Sequence, residues 1–129
     1  MPWTKVLIDK AEFESTLGKQ GLRGLSYRAA LLEAHTQLLE SDQAVIVIGE
    51  GVDDPGGVFG STLDLHKKFG RERVYDMPIA ENGLTGVAVG AAACGLKPIF
   101  VHMRTDFLPM CMDQLANHAA KWHYMTGGK

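Results

Sequence analysis

Residues 77–95 read MPIAENGLTGVAVGAAACG, and this stretch decides how the chain around it folds. Its residues are mostly small or apolar, with Glu81 as the one ionisable side chain, so we predict a buried helix over 82–94. Gly86 and Gly90 lie four residues apart, on one face of such a helix. Glycine costs up to about 1 kcal/mol in a helix interior relative to alanine. The two glycines therefore predict the close approach of another backbone, from a neighbouring element or from a second subunit.

Apolar runs on both sides of this helix predict a sheet. The strands predicted from these runs are 44–49 (AVIVIG), 73–76 (RVYD) and 97–103 (KPIFVHM). Further helices are predicted from apolar spacing near 27–40, within 61–70 and near 110–123. Ser26 is the expected N-cap of the first of these, and Pro109 is expected in the first turn of the last. Strands that alternate with helices predict an α/β fold with a mainly parallel sheet flanked by helices.

The start of the chain carries a weaker pattern than the rest. Residues 1–24 hold one short apolar piece, KVLI at 5–8, followed by mixed polar residues and three glycines. We therefore predict an N-terminal extension with weak local structure over 1–24 and a single domain over 25–129.

Composition and charge narrow the functional classes. The 129 residues include 46% hydrophobic and 22% charged residues, as in soluble globular domains. A formal net charge of −2 argues against nucleic acid or an acidic membrane surface as partner. We expect no membrane span and no secretory leader, and therefore a cytoplasmic protein. Cys94 and Cys111 match no metal or redox spacing, so buried free thiols are expected, although a single disulfide also fits.

The carboxylate that opens the apolar helix has two explanations. Glu81 in the first turn would interact favourably with the positive end of the helix dipole, by about 0.3–1 kcal/mol. Alternatively, Glu81 contacts a ligand at the edge of the core, where an unpaired charge is costly. Taken alone, this feature favours the capping explanation.

A longer pattern favours the ligand explanation. Glu81, Gly86, Val87 and Gly90 resemble the E-x4-G-Φ-x-x-G-Q motif of thiamin diphosphate enzymes, in the domain that binds the aminopyrimidine, with Ala91 where glutamine is usual. From about Leu25 onward the chain resembles the beginning of the beta subunit of the decarboxylating component of 2-oxo acid dehydrogenase complexes. The segments that carry this resemblance are SYRAALLEAHTQLLESDQAVIVIGEGV (26–52), KFGRERVYDMPIAENGLTGVAVGAAACGLKPI (68–99) and DQLANHAAKWHYMTGG (113–128).

The resemblance implies a truncated thiamin diphosphate-binding fold of the pyrimidine-domain type, and it implies site residues. Glu81 matches the glutamate that hydrogen-bonds the pyrimidine ring of the cofactor, and it is thereby implied to be catalytic. Glu50 matches a second catalytic glutamate, linked with proton traffic between paired active sites; from spacing alone, a solvated loop carboxylate is equally expected. Phe107 matches the aromatic ring that packs on the aminopyrimidine, and Met103 matches a neighbouring apolar contact.

One segment departs from the family pattern. Where the family usually reads acidic–aromatic–Met–Thr–aromatic–Asn–Phe–Ser, residues 101–108 read VHMRTDFL. His102 and Arg104 thereby place positive charge beside the expected cofactor pocket. Two interpretations stay open, a surface pair in which Arg104 bonds Asp106 and an anion contact for an unusual acidic substrate.

The resemblance also implies partners and alternatives. An alpha subunit is expected to carry the magnesium and diphosphate site, so no metal site is expected on this chain. A lipoyl-bearing acyltransferase is the expected acyl acceptor, and in isolation we predict a homo-oligomer with the glycine face of helix 82–94 at a subunit contact. The alternative function is a noncatalytic, truncated homologue or fragment that acts as an assembly or binding module. A transketolase or deoxyxylulose-phosphate synthase is a weaker enzymatic alternative.

Overall fold

The computed structural model describes residues 9–128, in which helices and parallel strands alternate. In chain order the regular elements are α1 (Lys10–Lys19), α2 (Tyr27–Ser41), β1 (Val45–Gly49), α3 (Leu65–Phe69), β2 (Val74–Asp76), α4 (Glu81–Ala93) and β3 (Lys97–Val101). A 3-10 helix (Thr105–Cys111), a π-helix (Gln114–Ala119) and α5 (Trp122–Met125) follow.

The three strands form one parallel sheet in the order β2-β1-β3. Val47 of the central strand is opposite Val74 of β2, and Gly49 is opposite Val101 of β3. Every residue of β1 is buried, as the β-branched run predicts. The α/β class with a mainly parallel sheet is thereby confirmed, and the third strand ends at Val101 instead of 103.

Side chains of β1 alternate between two hydrophobic clusters, one on each face of the sheet. The first cluster lies under α2 and the loop after β1, and its buried members are Leu39, Val45, Val47, Val52, Val58, Leu65 and Val74. The second lies under α4, and its buried members are Ile46, Ile48 and Ala88. Different elements therefore pack on the two faces of the sheet, and α4 packs on the face next to the candidate site.

A single arginine fastens α2 to the start of the sheet. The Arg73 guanidinium donates to the main-chain carbonyls of Leu39 (3.0 Å), Asp42 (2.7 Å) and Val45 (2.9 Å). Carbonyls at the end of a helix lack intrahelical donors, so Arg73 satisfies them while it joins β2 to the turn between α2 and β1.

The N-terminal half of the described chain contains one confirmed cap and one correction. Ser26 caps α2 as predicted, because its hydroxyl accepts from the Ala29 amide at 3.3 Å. The prediction of weak local structure before residue 24 is wrong over Lys10–Lys19. There Asp9 accepts hydrogen bonds from two first-turn amides and starts α1, although α1 buries none of its residues. The KVLI piece at 5–8 lies outside the described residues.

The helix predicted near 110–123 is present, but it is not one continuous α-helix. The chain instead passes from the 3-10 helix through the π-helix to the short α5. Pro109 lies inside the 3-10 helix, where its missing N–H removes a helical donor. At the end of the π-helix the Ala120 amide donates to the Leu115 carbonyl at 2.9 Å, a bond across five residues.

Helix α4 has the predicted bounds within one residue, but its burial differs from the prediction. Only its inward face is buried, and the Val87 side chain on the other side is 53% exposed. No other backbone approaches its glycines within the described chain. A Cβ on Gly86 would lie 2.9 Å from the Gln114 amide oxygen, a side-chain atom, and a Cβ on Gly90 would meet nothing within 4 Å. The glycine face is therefore covered at Gly86 by the Gln114 side chain, whereas space for a side chain is left at Gly90.

The cysteines and the membrane prediction complete the comparison with the sequence. Both cysteines are free thiols. Cys111 is buried as predicted, whereas Cys94 is exposed because it lies at the C-cap of α4. Over residues 9–128, none of the helices has the length and apolar character needed to cross a bilayer.

Candidate functional site

Ionisable side chains meet at the carboxyl-terminal edge of the sheet. Glu50 directly follows β1, Asp76 is the last residue of β2, and His102 directly follows β3. The register that sets Gly49 opposite Val101 makes Glu50 and His102 cross-strand neighbours. Open parallel sheets bind ligands outside this edge of their strands. The fold therefore concentrates acid–base side chains where such a sheet places its ligand.

Glu81 lies at the same edge because it is the first residue of α4. Its side chain is buried, at 6% exposure, and the preceding Ala80 offers no side-chain cap. The Thr85 hydroxyl donates to the main-chain carbonyl of Glu81 at 2.7 Å. None of the hydrogen bonds among residues 9–128 involves the Glu81 carboxyl group. A buried carboxyl group at a helix N-terminus is available to a ligand that can donate or share a proton.

Glu50 is buried as well, at 7% exposure, so the solvated-loop alternative is wrong. Its amide donates to the Val101 carbonyl at 3.4 Å, while its Oε1 atom is buried without a hydrogen-bond partner in the described part of the chain. Burial raises the pKa of the Glu50 carboxyl above its ordinary value, and the nearby Glu81 carboxylate raises it further. The structure thus brings the two predicted glutamates close enough for the Glu81 carboxylate to raise the pKa of Glu50.

His102 belongs to this cluster, which sequence reasoning missed by treating it only as a charge beside the pocket. Its Nε2 lies 3.6 Å from the Cys111 thiol sulfur, and its ring meets Phe100 edge-on at 4.4 Å between centroids. Its Nδ1 is buried and has no partner within residues 9–128. A positive charge on this imidazole would lower the pKa of Glu50, opposing the effect of burial. The available signal was its place directly after a strand that pairs with β1.

Asp76 is a second residue that the motif did not indicate. Its carboxylate accepts a hydrogen bond from the Gly51 amide at 2.5 Å. Gly51 follows Glu50 and has a φ of +69°, a conformation that favours glycine. Asp76 therefore holds the loop that positions Glu50, and its position at the end of a predicted strand was the signal for it.

The two predicted contact residues lie on the segment after β3. Met103 packs against the first core cluster, with its sulfur 3.7 Å from where a Cβ on Gly51 would be. Phe107 lies in the 3-10 helix, and the Arg104 guanidinium is 5.2 Å from the centroid of its ring. Arg104 also forms the anticipated ion pair with Asp106, at 3.7 Å between two exposed side chains. The roles of Met103 and Phe107 toward a cofactor stay predictions.

Two cavities flank β3, and neither is lined by Glu50 or Glu81. One, of about 700 Å³, lies between α4, β3 and the C-terminal helices, and it is mostly apolar. The other, of about 470 Å³, lies between the start of α2, the loop after β1 and the end of β3. Within residues 9–128, no group of three or more histidine, cysteine, aspartate or glutamate side chains could hold a metal ion. Glu50 and Glu81, both buried, therefore lie outside the lining of either cavity.

Comparisons with known proteins show the family to which the chain belongs. A family model described as the pyrimidine-binding domain of transketolase matches residues 23–128, so the chain belongs to the transketolase pyrimidine-binding domain family. It is 43% identical to the beta subunit of acetoin:2,6-dichlorophenolindophenol oxidoreductase from Cupriavidus necator over 117 residues, 83% of this chain and 34% of that protein. It is 46% identical to the pyruvate dehydrogenase E1 component subunit beta from Porphyra purpurea over 99 residues, 77% of this chain and 30% of that protein.

These matches confirm the resemblance to beta subunits that the motifs indicate. A further beta subunit of an acetoin:2,6-dichlorophenolindophenol oxidoreductase, from Bacillus subtilis, is 43% identical over 119 residues, 83% of this chain and 35% of that protein. The chain spans about a third of the length of the curated relatives it matches.

Proposed function

We propose that this chain is the pyrimidine-binding portion of the beta subunit of a thiamin diphosphate-dependent 2-oxo acid dehydrogenase. The observation that carries the proposal is the buried Glu81 carboxyl at the N-terminus of α4, which lacks a hydrogen bond within the described chain and lies near a second buried carboxyl. A structural salt bridge or cap would leave no such group without a partner. An aminopyrimidine offers a ring nitrogen and an exocyclic amine, and these fit two carboxyl groups at one edge.

Each residue then has a defined task. Glu81 holds a proton at the pyrimidine ring nitrogen, and a carboxyl group in a dry site is suited to sharing it. Glu50, whose pKa burial raises, holds or releases a second proton at the same edge. Met103 and Phe107 supply apolar surface that orients the ring and excludes water. Bound thiamin diphosphate supplies the nucleophilic carbon that attacks the keto group of the 2-oxo acid.

The proposal includes partners that this chain alone does not provide. An alpha subunit supplies the magnesium ion and the diphosphate site, and a lipoyl-bearing acyltransferase accepts the acyl group, all in the cytoplasm. In isolation the chain forms a homo-oligomer, because large apolar side chains are exposed on and near the C-terminal helices. They are Val87, Leu108, Met110, Met112, Trp122, Tyr124 and Met125. The same surface supports a second candidate function, a noncatalytic assembly module.

Substitution of Glu81 separates these functions. In an enzyme reconstituted from full-length alpha and beta subunits, we expect Glu81→Gln to lower decarboxylation about 10²–10⁴-fold, the usual effect of losing a proton-transfer group. The measurement is decarboxylation with an artificial electron acceptor, and the matched control is Glu72→Gln at an exposed glutamate. Thermal unfolding checks that both variants fold. Activity of Glu81→Gln within a few-fold of wild type would return Glu81 to helix capping, and an inactive wild type would favour the assembly module.

A further inference from the structure

The smaller cavity is lined by basic side chains, although the chain as a whole is slightly acidic. Two arginines and two histidines line it, and none of its described lining residues is acidic. The whole chain, by contrast, has 15 acidic and 13 basic residues. The volume, about 470 Å³, lies within the range of small-molecule sites. A basic cavity in a slightly acidic chain indicates an anionic ligand.

Arg28 is the first of the two arginines, and it is an exposed cation at the positive end of a helix. It lies in the first turn of α2, where the helix dipole is positive and where α2 has no acidic residue. Its guanidinium forms neither a hydrogen bond nor an ion pair within residues 9–128. The loop after β1 packs against it, since Arg28 Nη1 is 3.4 Å from where a Cβ on Gly60 would lie. The loop thus holds a cation beside the positive end of a helix.

Arg104 approaches the cavity from the opposite side, two residues after His102. Its ion pair with Asp106 is long, at 3.7 Å, and both side chains are mostly exposed, so the pair contributes little and leaves the guanidinium available. Two guanidinium groups from different elements are the usual means of binding a carboxylate or a phosphate, because each can donate two parallel hydrogen bonds.

The cavity adjoins the carboxyl cluster. Met103 lines it, and the Met103 sulfur lies 3.7 Å from where a Cβ on Gly51 would be, directly after Glu50. A molecule reacting beside Glu50 could therefore extend past Met103 toward the two arginines. We propose that this cavity binds a distal anionic group of the substrate, a second carboxylate or a phosphate, through Arg28 and Arg104. The assignment to a substrate rests on the proposed function, and it makes the substrate a 2-oxo acid with a second acidic group.

Binding to the chain itself tests the cavity without any catalysis. The probes are glutarate as a dicarboxylate, inorganic phosphate, and butyrate as a monocarboxylate of similar length, titrated at constant ionic strength and followed by NMR. We expect glutarate or phosphate to shift signals of Gly60 and Thr105, and Arg28→Gln and Arg104→Gln each to weaken binding roughly tenfold or more. Arg23→Gln is the matched control, because Arg23 pairs with Glu33 and does not line the cavity.

The binding results decide as follows. If glutarate binds more tightly than phosphate, the anionic group of the substrate is a carboxylate. If phosphate binds more tightly, that group is a phosphate. The inference would be overturned if butyrate and glutarate bound equally well and phosphate did not bind. It would also be overturned if Arg23→Gln and Arg104→Gln weakened anion binding equally. Thermal unfolding identifies a variant that fails to fold. If Arg28→Gln fails to fold, Arg104→Gln still tests the inference, because Arg104 lies on an exposed segment.

An activity comparison separates this inference from the proposed function. In the reconstituted alpha–beta enzyme, Arg104→Gln should shift the ratio of kcat/KM for 2-oxoglutarate over pyruvate at least roughly tenfold toward pyruvate if a carboxylate is bound. If the enzyme decarboxylates pyruvate, Arg104→Gln leaves the kcat/KM ratio unchanged and the chain binds no anion, the anion site alone is overturned. An enzyme without activity on any 2-oxo acid, whose chain still binds glutarate through both arginines, overturns the proposed function alone.

Discussion

Replacing Glu50 by glutamine should make the chain more stable at neutral pH. The carboxyl group is 7% exposed, and its Oε1 has no hydrogen-bond partner in the described chain. Leaving a buried polar group unsatisfied costs about 1–3 kcal/mol. Glutamine keeps the shape and loses the charge, but its amide is still polar, so the expected gain is near the lower end, about 1 kcal/mol. For a chain of this length that corresponds to a rise of roughly 3–5 °C in Tm.

The gain in stability on replacing Glu50 by glutamine should depend on pH in a defined direction. Because burial and Glu81 raise the pKa of Glu50 in the folded state, folding favours the protonated form. The stability that this provides is fully present below the unfolded pKa of about 4.5 and is lost as pH rises through the folded pKa. The Tm difference between Glu50→Gln and wild type should therefore be near zero at pH 4 and largest at pH 7 and above.

Thermal unfolding of both proteins between pH 4 and pH 8 is the measurement, with Glu72→Gln as the exposed control. Only the difference at each pH enters the comparison, so a general loss of stability in acid does not affect it. A Tm difference that is constant with pH, or a Glu50→Gln variant less stable than wild type at pH 7.5, would refute the assignment of Glu50 as a buried, strained carboxyl. Reduced decarboxylation beside increased stability is the combination expected of a functional residue.

Three other expectations concern packing and assembly. Gly90→Ala should raise the stability of the isolated chain by up to about 1 kcal/mol, because the added Cβ meets nothing within 4 Å. Gly95→Ala should lower the stability, because Gly95 has a φ of +95°. Denaturant unfolding measures both effects. Arg73→Met should cost roughly 2–3 kcal/mol in the same assay, because three main-chain carbonyls lose their charged donor, and an effect below 0.5 kcal/mol would contradict the fastening role. Light scattering should show a homo-oligomer, and a monodisperse monomer at working concentration would refute the open apolar surface as a contact.

The sequence predicts the sheet and α4 well because their signals are local. The β-branched run of β1 and the apolar composition of α4 specify these elements without reference to the rest of the chain. The segment 105–125 is different, because Pro109 interrupts its hydrogen bonding and Gln114 packs on Gly86 of α4. Helical spacing encodes neither this interruption nor that tertiary contact. The helix α1 depends on the cap at Asp9, which a search for apolar spacing overlooks.

The same distinction applies to the site. The motif predicted Glu81 as a site residue and the resemblance predicted Glu50, but the closeness of the two depends on how β1 and α4 pack against each other. The pairing of His102 with Cys111 likewise requires the turn of the 3-10 helix back toward the end of β3. Sequence patterns therefore predicted candidate residues, whereas their burial and the raised pKa of Glu50 required the structure.

The central place of β1 has a consequence for how the chain folds. Both of its partners are distant in sequence, since Val47 pairs with Val74 and Val45 pairs with Lys97. Parallel pairs of this separation form slowly, because the intervening chain must be ordered before the contact is gained. During synthesis, β1 leaves the ribosome with both edges unpaired; one edge can pair once β2 has emerged, and the other only after β3 follows. Glu50 is therefore enclosed only in a late step, and the greatest risk of aggregation falls in the interval before it.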